Sequence, residues 1–414
     1  MRYLCIMIIC LSLSPLVRAQ QTEVFFADIH TVQVVANNDL NAFPIIALHA
    51  NEWIDVSFDQ LSHEYRRYRY VISHHNADWS PSNLHEIDFL DGFNNIAIEN
   101  YETSRSTTVE YTHYTFRLPN EQAAIRLSGN YMLTVYADYE DEPIFRTSFR
   151  VLDKKASVSS TISTNTDIDR NNSHQQVSFS INYGGYAIRN PQNEVKVQVL
   201  QNRRTDNMVS GILPSYVGVN ELRYEYNREL IFRAGNEYRR FEMVSTRYTT
   251  SGVDYLRYIA PYYHVVLYPD EPRTKNYIYD EDQNGRYLIR NTEAVDNDTE
   301  ADYFLVHFSL PWEDSLLRDG NIYLQGAFTY TVFNSQTQLI YNPDNRAYES
   351  TQLLKQGAYN YQYVYVPHGS RKGYTGLIEG NYYQTENEYL ILVYHRPFGE
   401  RYDKLIGYTE VSYR

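Results

Sequence analysis

Between Val177 and Tyr183 the chain reads Val-Ser-Phe-Ser-Ile-Asn-Tyr, with apolar side chains at every odd position and polar ones at every even position. Only an extended strand sorts such a run into two faces, because successive strand side chains point to opposite sides. The same period returns along the sequence. Val195, Val197 and Val199 alternate with Lys196 and Gln198, and Leu222, Tyr224 and Tyr226 with Arg223 and Glu225. Phe304, Val306 and Phe308 oppose Leu305 and His307, while Tyr359, Tyr361, Tyr363 and Tyr365 form a row beside Asn360, Gln362, Val364 and Val366. One-sided strands of this kind belong to antiparallel sheets packed face to face. The chain's 42 tyrosines point the same way, since a tyrosine ring packs well on a pleated surface while its hydroxyl stays hydrated. The expected fold class is all-β, built from tandem antiparallel β-sandwich domains.

Turn chemistry divides the strands. Gly184-Gly185, Asn284-Gly285 and Asp319-Gly320-Asn321 read as tight turns that need positive φ. Gly129 to Ala137 resembles a late strand of an immunoglobulin-like sandwich, in which a glycine turn feeds a tyrosine-led strand. Residues 153–172 are poor in large apolar side chains, and their start marks a boundary. A second polar stretch covers 270–302. The expected organisation is a leader over 1–19, an immunoglobulin-like sandwich over 20–153, a second sandwich over 154–300, and a C-terminal sandwich over 301–414 resembling a carbohydrate-binding module.

The leader follows from Arg2, the apolar run Tyr3 to Val17, and Val17-Arg18-Ala19, which places small residues at −3 and −1 of a cut before Gln20. That is a secretory signal layout. Both cysteines, Cys5 and Cys10, lie within it. The exported chain therefore has no thiol for a disulfide, a metal site or nucleophilic catalysis. The full chain carries 37 Lys and Arg against 51 Asp and Glu, a formal net charge of −14, and the leader's two arginines leave with it. So negative a chain suits neither nucleic acid nor an anionic membrane surface. Direct membrane insertion as a barrel is disfavoured too, because Arg66-Arg67-Tyr68-Arg69 and Arg239-Arg240 put charge on both faces of a strand.

Chemistry-bearing groups are few. Asp280, Asp282, Asn284 and Gly285 match the first half of a helix-loop-helix calcium loop, but the twelfth position, where a bidentate glutamate belongs, is Asn291. A plain turn is the better reading. His74, His75 and Asp78 group metal-type ligands, yet neighbours on a strand face opposite ways, so a structural loop anchored by Trp79 and Pro81 is preferred. The Tyr359–Tyr365 row could stack sugars or pack a core. Hydrolase elbows, phosphate loops and zinc-protease helices have no counterpart. No catalytic, cofactor-binding or metal residues are assigned, no cofactor is expected, and the reading is of a non-enzymatic protein.

A series of short strings then occurs in order: Ile29-His-Thr-Val-Gln-Val34, Tyr70 to Phe93, Tyr111-Thr-His-Tyr114, Leu118-Pro-Asn120, Leu127-Ser-Gly-Asn-Tyr131 and Val199-Leu-Gln-Asn202. Phe232 to Tyr238, Asn284-Gly285, Ala301-Asp-Tyr303, Leu354-Lys-Gln-Gly357 and the C-terminal run from Glu379-Gly-Asn-Tyr382 to Tyr402-Asp-Lys-Leu-Ile-Gly407 follow. Together they resemble the plug protein of the bacterial type IX secretion system over essentially the whole exported chain. The resemblance implies a periplasmic protein at the inner face of the outer membrane. Its partner would be a large outer-membrane β-barrel translocon, whose periplasmic opening it closes. It carries over no active-site residues. The competing reading is an envelope glycan-binding protein, and the contact surface expected for the translocon includes Glu386 and Glu388.

Overall fold

The computed structural model describes residues 20–137, 142–312 and 316–413. The leader expected over 1–19 lies outside them. The described chain is β structure throughout, with only single-turn helices between strands. The strands lie in open sheets that pack in pairs into three sandwiches.

In the first sandwich, the strands Glu23–Val24, Pro143–Leu152, Gly129–Ala137, Tyr68–His75 and Ile96–Ile98 lie side by side, with Ile45–Ala47 added in parallel to Pro143–Leu152. They face the sheet Ile29–Ala36, Ile54–Gln60, Thr112–Leu118 and Asn100–Thr103. Ile54, Val56 and Phe58 from one sheet and Leu133, Val135 and Phe145 from the other fill the space between.

The second sandwich sets Ser157–Ser163, His174–Asn182, Glu221–Tyr224 and Tyr216–Val217 against Val209–Ser210, Val195–Gln201, Glu388–His395 and Lys404–Ser412. Val177, Phe179 and Ile181 meet Val195, Val197 and Val199 in its core, as their alternation requires. Tyr226 does not join Leu222 and Tyr224. The strand ends at Tyr224, and Tyr226, at φ 53°, turns out into solvent.

The third sandwich packs Arg239–Met243, Gly357–Pro367, Tyr287–Ile289 and Gly320–Gln325 on a five-stranded sheet ordered Val253–Ile259, Tyr262–Leu267, Tyr303–Pro311, Ala347–Lys355, Ile340–Asn342. Here Tyr262–Leu267 and Tyr303–Pro311 run parallel, as Ile45–Ala47 does to Pro143–Leu152, while the other paired strands of the described residues run antiparallel. Phe304, Val306 and Phe308 bury against Tyr359, Tyr361 and Tyr363.

The boundary expected at 300 is not where the sheets divide. Strand Val195–Gln201 pairs with Glu388–His395 along its whole length, so the end of the chain completes the second sandwich. Arg239–Met243, placed before the expected boundary, pairs with Gly357–Pro367 beyond it. The third sandwich is therefore an insertion within the second. Glu388–His395 explains why this was hidden. It is buried on both faces, with Tyr389, Ile391 and Val393 in the second core and Leu390, Leu392 and Tyr394 against the first sandwich. A strand covered on both sides reads as a continuous apolar run without a period.

Two of the expected turns differ in kind. Asn284, at φ 51°, and Gly285, at φ 84°, do turn the chain, but no strand precedes them, so they close no hairpin. Gly320 opens a strand instead of sitting in a turn. A Cβ there would lie 2.5 Å from the Val366 carbonyl oxygen, so close backbone approach is what demands glycine.

Candidate functional site

The tyrosine row of Gly357–Pro367 is core. Tyr359, Tyr361 and Tyr363 are at most 3% exposed, and the alternate residues Asn360, Gln362, Val364 and Val366 are buried as well. Both faces of the strand are covered, which leaves no open platform on which a sugar could stack. Tyr361 and Tyr363 each donate a hydroxyl hydrogen bond to Asp270 Oδ2, at 2.8 and 2.7 Å. Beside them Glu379, fully buried, pairs with Arg239 at 3.0 Å and Arg273 at 2.8 Å. Burial pushes the Glu379 carboxyl up, but the two guanidinium groups outweigh it and hold the acid below its ordinary range.

His74 and His75 face opposite sides of their strand. His74 Nε2 donates to the Ser128 carbonyl at 3.2 Å and its Nδ1 accepts from Ser82 at 3.0 Å, while the ring packs between Phe89, Tyr131 and Tyr402. His75 Nδ1 donates to the Trp79 carbonyl at 2.8 Å and its Nε2 accepts from Ser73. Each ring is thus a neutral tautomer with both nitrogens in use. Burial lowers the His74 pKa to about 4. Gly129 completes this arrangement: a Cβ would fall 2.5 Å from His74 Nε2, at a φ of 142°. Asp282 turns inward, accepting backbone hydrogen bonds from Tyr238 and Asn284, while Asp280 pairs with Arg240. The half-loop therefore caps a turn. Among the described residues no three His, Cys, Asp or Glu gather with metal-binding geometry.

Glu388 is not a surface residue. It is buried and paired with Arg286 at 2.7 Å, and Arg286 Nη2 also donates to the Asn41 carbonyl at 2.8 Å. One guanidinium thereby ties the third sandwich to the second and the first. Glu386 is half-buried, and its backbone N–H donates to Glu237 Oε1.

Arg286 belongs to a wider set of buried polar ties between the sandwiches. At the first–third junction, Lys355 Nζ donates to Asp59 Oδ2 at 2.6 Å and to the Asp298 carbonyl at 2.7 Å. Tyr303 donates to the same Asp59 oxygen at 2.7 Å, and His113 Nδ1 lies 2.6 Å from the other. The ammonium stands 4.2 Å from the centre of the Tyr111 ring. Burial raises the Asp59 carboxyl, yet Lys355 and the His113 hydrogen bond reverse the shift and leave it low. Nearby, Asp302 accepts from the backbone N–H groups of Thr108 and Val109 at 2.7 and 3.0 Å. At the first–second junction, fully buried Asp403 takes Lys196 at 2.9 Å, Arg396 at 2.9 Å and the Ala77 N–H at 2.9 Å. Tyr394 donates to Asn130 there, beside an apolar contact of Phe43, Ile45 and Leu152 with Leu200, Leu390 and Leu392.

The chemical character of these groups is plain. Each buried carboxylate has its lone pairs taken by a cation, a hydroxyl or a backbone N–H, so the set orients sandwiches and leaves no nucleophile beside a free base. Sequence reasoning assigned no role to any of them. Yet Tyr111, His113, Asp302, Tyr303, Lys355, Glu379 and Asp403 all fall inside the short strings that carry the family resemblance. That coincidence was the available signal.

Comparison with known proteins adds to this geometry. Residues 29–153 match the type 9 secretion system plug protein first domain, a span that lies within the first sandwich. A crystal structure of a hypothetical protein from Parabacteroides merdae ATCC 43184 is similar over 95% of this chain and 99% of its own, at 45% identity and a TM-score of 0.93. No curated protein matches the chain. With the plug-domain match on the first sandwich and a relative of the same three-sandwich length, the chain belongs to the type IX secretion system plug protein family, and its role is in type IX secretion.

Proposed function

We propose that the protein is a non-enzymatic periplasmic component of type IX secretion that binds an outer-membrane translocon barrel and closes its periplasmic opening. The observation that carries the reading is the set of buried ties at all three junctions, in which Asp59–Lys355, the Ala77 N–H on Asp403 and Glu388–Arg286 fix the sandwiches to one another. A part that stops an opening must be broad and must not flex. Three sandwiches hinged on flexible linkers would meet the first need alone. The two charge pairs that cross between sandwiches, Asp59–Lys355 and Glu388–Arg286, supply the second, because separating the sandwiches would leave each of these charges without its partner in a site shaped to exclude water. The family membership supports the place of action.

The test is affinity purification of the tagged full chain from gently solubilised envelopes. Recovery of a very large outer-membrane β-barrel in near-equal amount is the expected result. Recovery of the chain alone, under conditions that keep other envelope complexes intact, would sink the reading.

A further inference from the structure

The five-stranded sheet of the third sandwich ends on Val253–Ile259, which pairs with Tyr262–Leu267 and with no other strand among the described residues. Residues 254–259 make no hydrogen bond except to that neighbour among the described residues. An edge of this kind leaves alternate N–H and C=O groups free to pair with an incoming strand, and proteins ordinarily blunt it. The opposite edge of the same sheet is blunted: Ile340–Asn342 is three residues long and runs into Pro343. The long edge of the second sandwich, Ser157–Ser163, consists mainly of serine and threonine.

Val253–Ile259 is different. Leu256 turns toward the core, but Tyr255, Tyr258 and Ile259 are 49%, 50% and 50% exposed. Tyr255, Arg257 and Ile259 share the outer face by the period of two. Tyr258 lies on the other face, its ring 5.0 Å from that of Tyr263. Arg257 is exposed and forms no ion pair among the described residues. A seven-residue edge thus combines unpaired backbone, apolar side chains on both faces, exposed Asp254 near its start and Arg257, without an ion pair among the described residues, at its centre.

We propose that an extended segment of the translocon adds to this edge as a sixth strand, with a carboxylate side chain opposite Arg257 and apolar side chains beside Tyr255 and Ile259. The proposal rests on the reading of the preceding subsection and names the surface that reading needs. Backbone pairing supplies the affinity, and the residues that flank and face Arg257 supply the selectivity. An unpaired cation at the centre of the edge accepts an acidic partner and disfavours a basic one.

The experiment repeats the purification with tagged full-length Arg257→Glu and Ile259→Lys. Val219→Lys, at a 93% exposed apolar position of the second sandwich, serves as the control. All three sites are at the surface, and thermal melts check that each variant folds. Recovered barrel should fall about tenfold or more for the two edge variants, as for an interface charge pair that is broken, and stay level for Val219→Lys. Hydrogen exchange at 254–259 should slow in the wild-type complex. Wild-type recovery matched by both edge variants, or exchange at 254–259 equally fast in the complex, overturns the proposal and leaves the plug reading standing. No barrel with the wild type removes both. A wild-type dimer that Arg257→Glu dissolves assigns the edge to a second copy of this chain and also overturns it.

Discussion

The Lys355 ammonium lies 2.6 Å from the Asp59 carboxylate across 296 positions of sequence, and neither side chain reaches solvent. Such a pair is not itself a large source of stability, since desolvation offsets much of the attraction. Losing one member is costly. Lys355→Met should destabilise the protein by about 3–5 kcal/mol, measured by urea unfolding. Asp59→Asn combined with Lys355→Met should cost less than the sum of the single changes, by on the order of 1–3 kcal/mol, because the two groups are in contact. Strict additivity would mean that they do not interact.

Acid should weaken the fold in two windows. The folded His74 pKa is about 4 against an ordinary 6.5. As pH falls through that interval the unfolded chain takes up a proton that the native ring refuses, so stability drops. Asp59 acts lower down: its folded pKa is depressed from the ordinary 3.8, so its contribution is complete above that value and is lost as pH falls through the folded value. Melting midpoints followed from pH 7 to pH 3 check both. In NMR titrations the His74 ring should remain neutral down to about pH 5, one unit above its folded value.

Asp282 carries the opposite sign. Burial raises its pKa to about 7, with its two backbone hydrogen bonds only partly compensating. Between the ordinary value of 3.8 and about 7 the native state holds a proton that the unfolded chain releases, so this group's contribution declines as pH rises. Asp282→Asn removes that decline. The difference in stability between variant and wild type should therefore move in favour of the variant from pH 5 to pH 8, and an unchanged difference would refute the assignment.

The tyrosine row should behave as a core. Tyr359→Ala should cost about 3–5 kcal/mol, as for other large aromatic truncations. Tyr361→Phe, which loses only the bond to Asp270, should cost about 1.5–3 kcal/mol. Loss of polysaccharide binding by a Tyr361→Phe variant of unchanged stability would contradict this.

Charge reversal separates Glu388 from its neighbour. Glu388→Lys sets a second cation against buried Arg286 and should prevent stable folding, read as low soluble yield and a lost thermal transition. Glu386→Lys, at a half-buried site with no cation pair among the described residues, should leave a cooperative melt.

What could be read from the sequence was whatever obeys a local rule. The alternations at Val177–Ile181, Val195–Val199 and Phe304–Phe308 predicted strands and core faces correctly, because the two-residue period is a property of the extended backbone itself. The opposed directions of His74 and His75 followed from the same rule. The short strings around Lys355, Tyr303 and Asp403 identified the family without showing what those residues do. Only the tertiary structure decided that Glu388–His395 returns to the second sandwich, that the tyrosine row is covered on both faces, and that Glu388 is buried against Arg286. Each of these depends on which surface arrives from far along the chain to cover a strand or neutralise a charge. Burial is a property of the assembled pair of surfaces, and no local pattern in either surface specifies its partner.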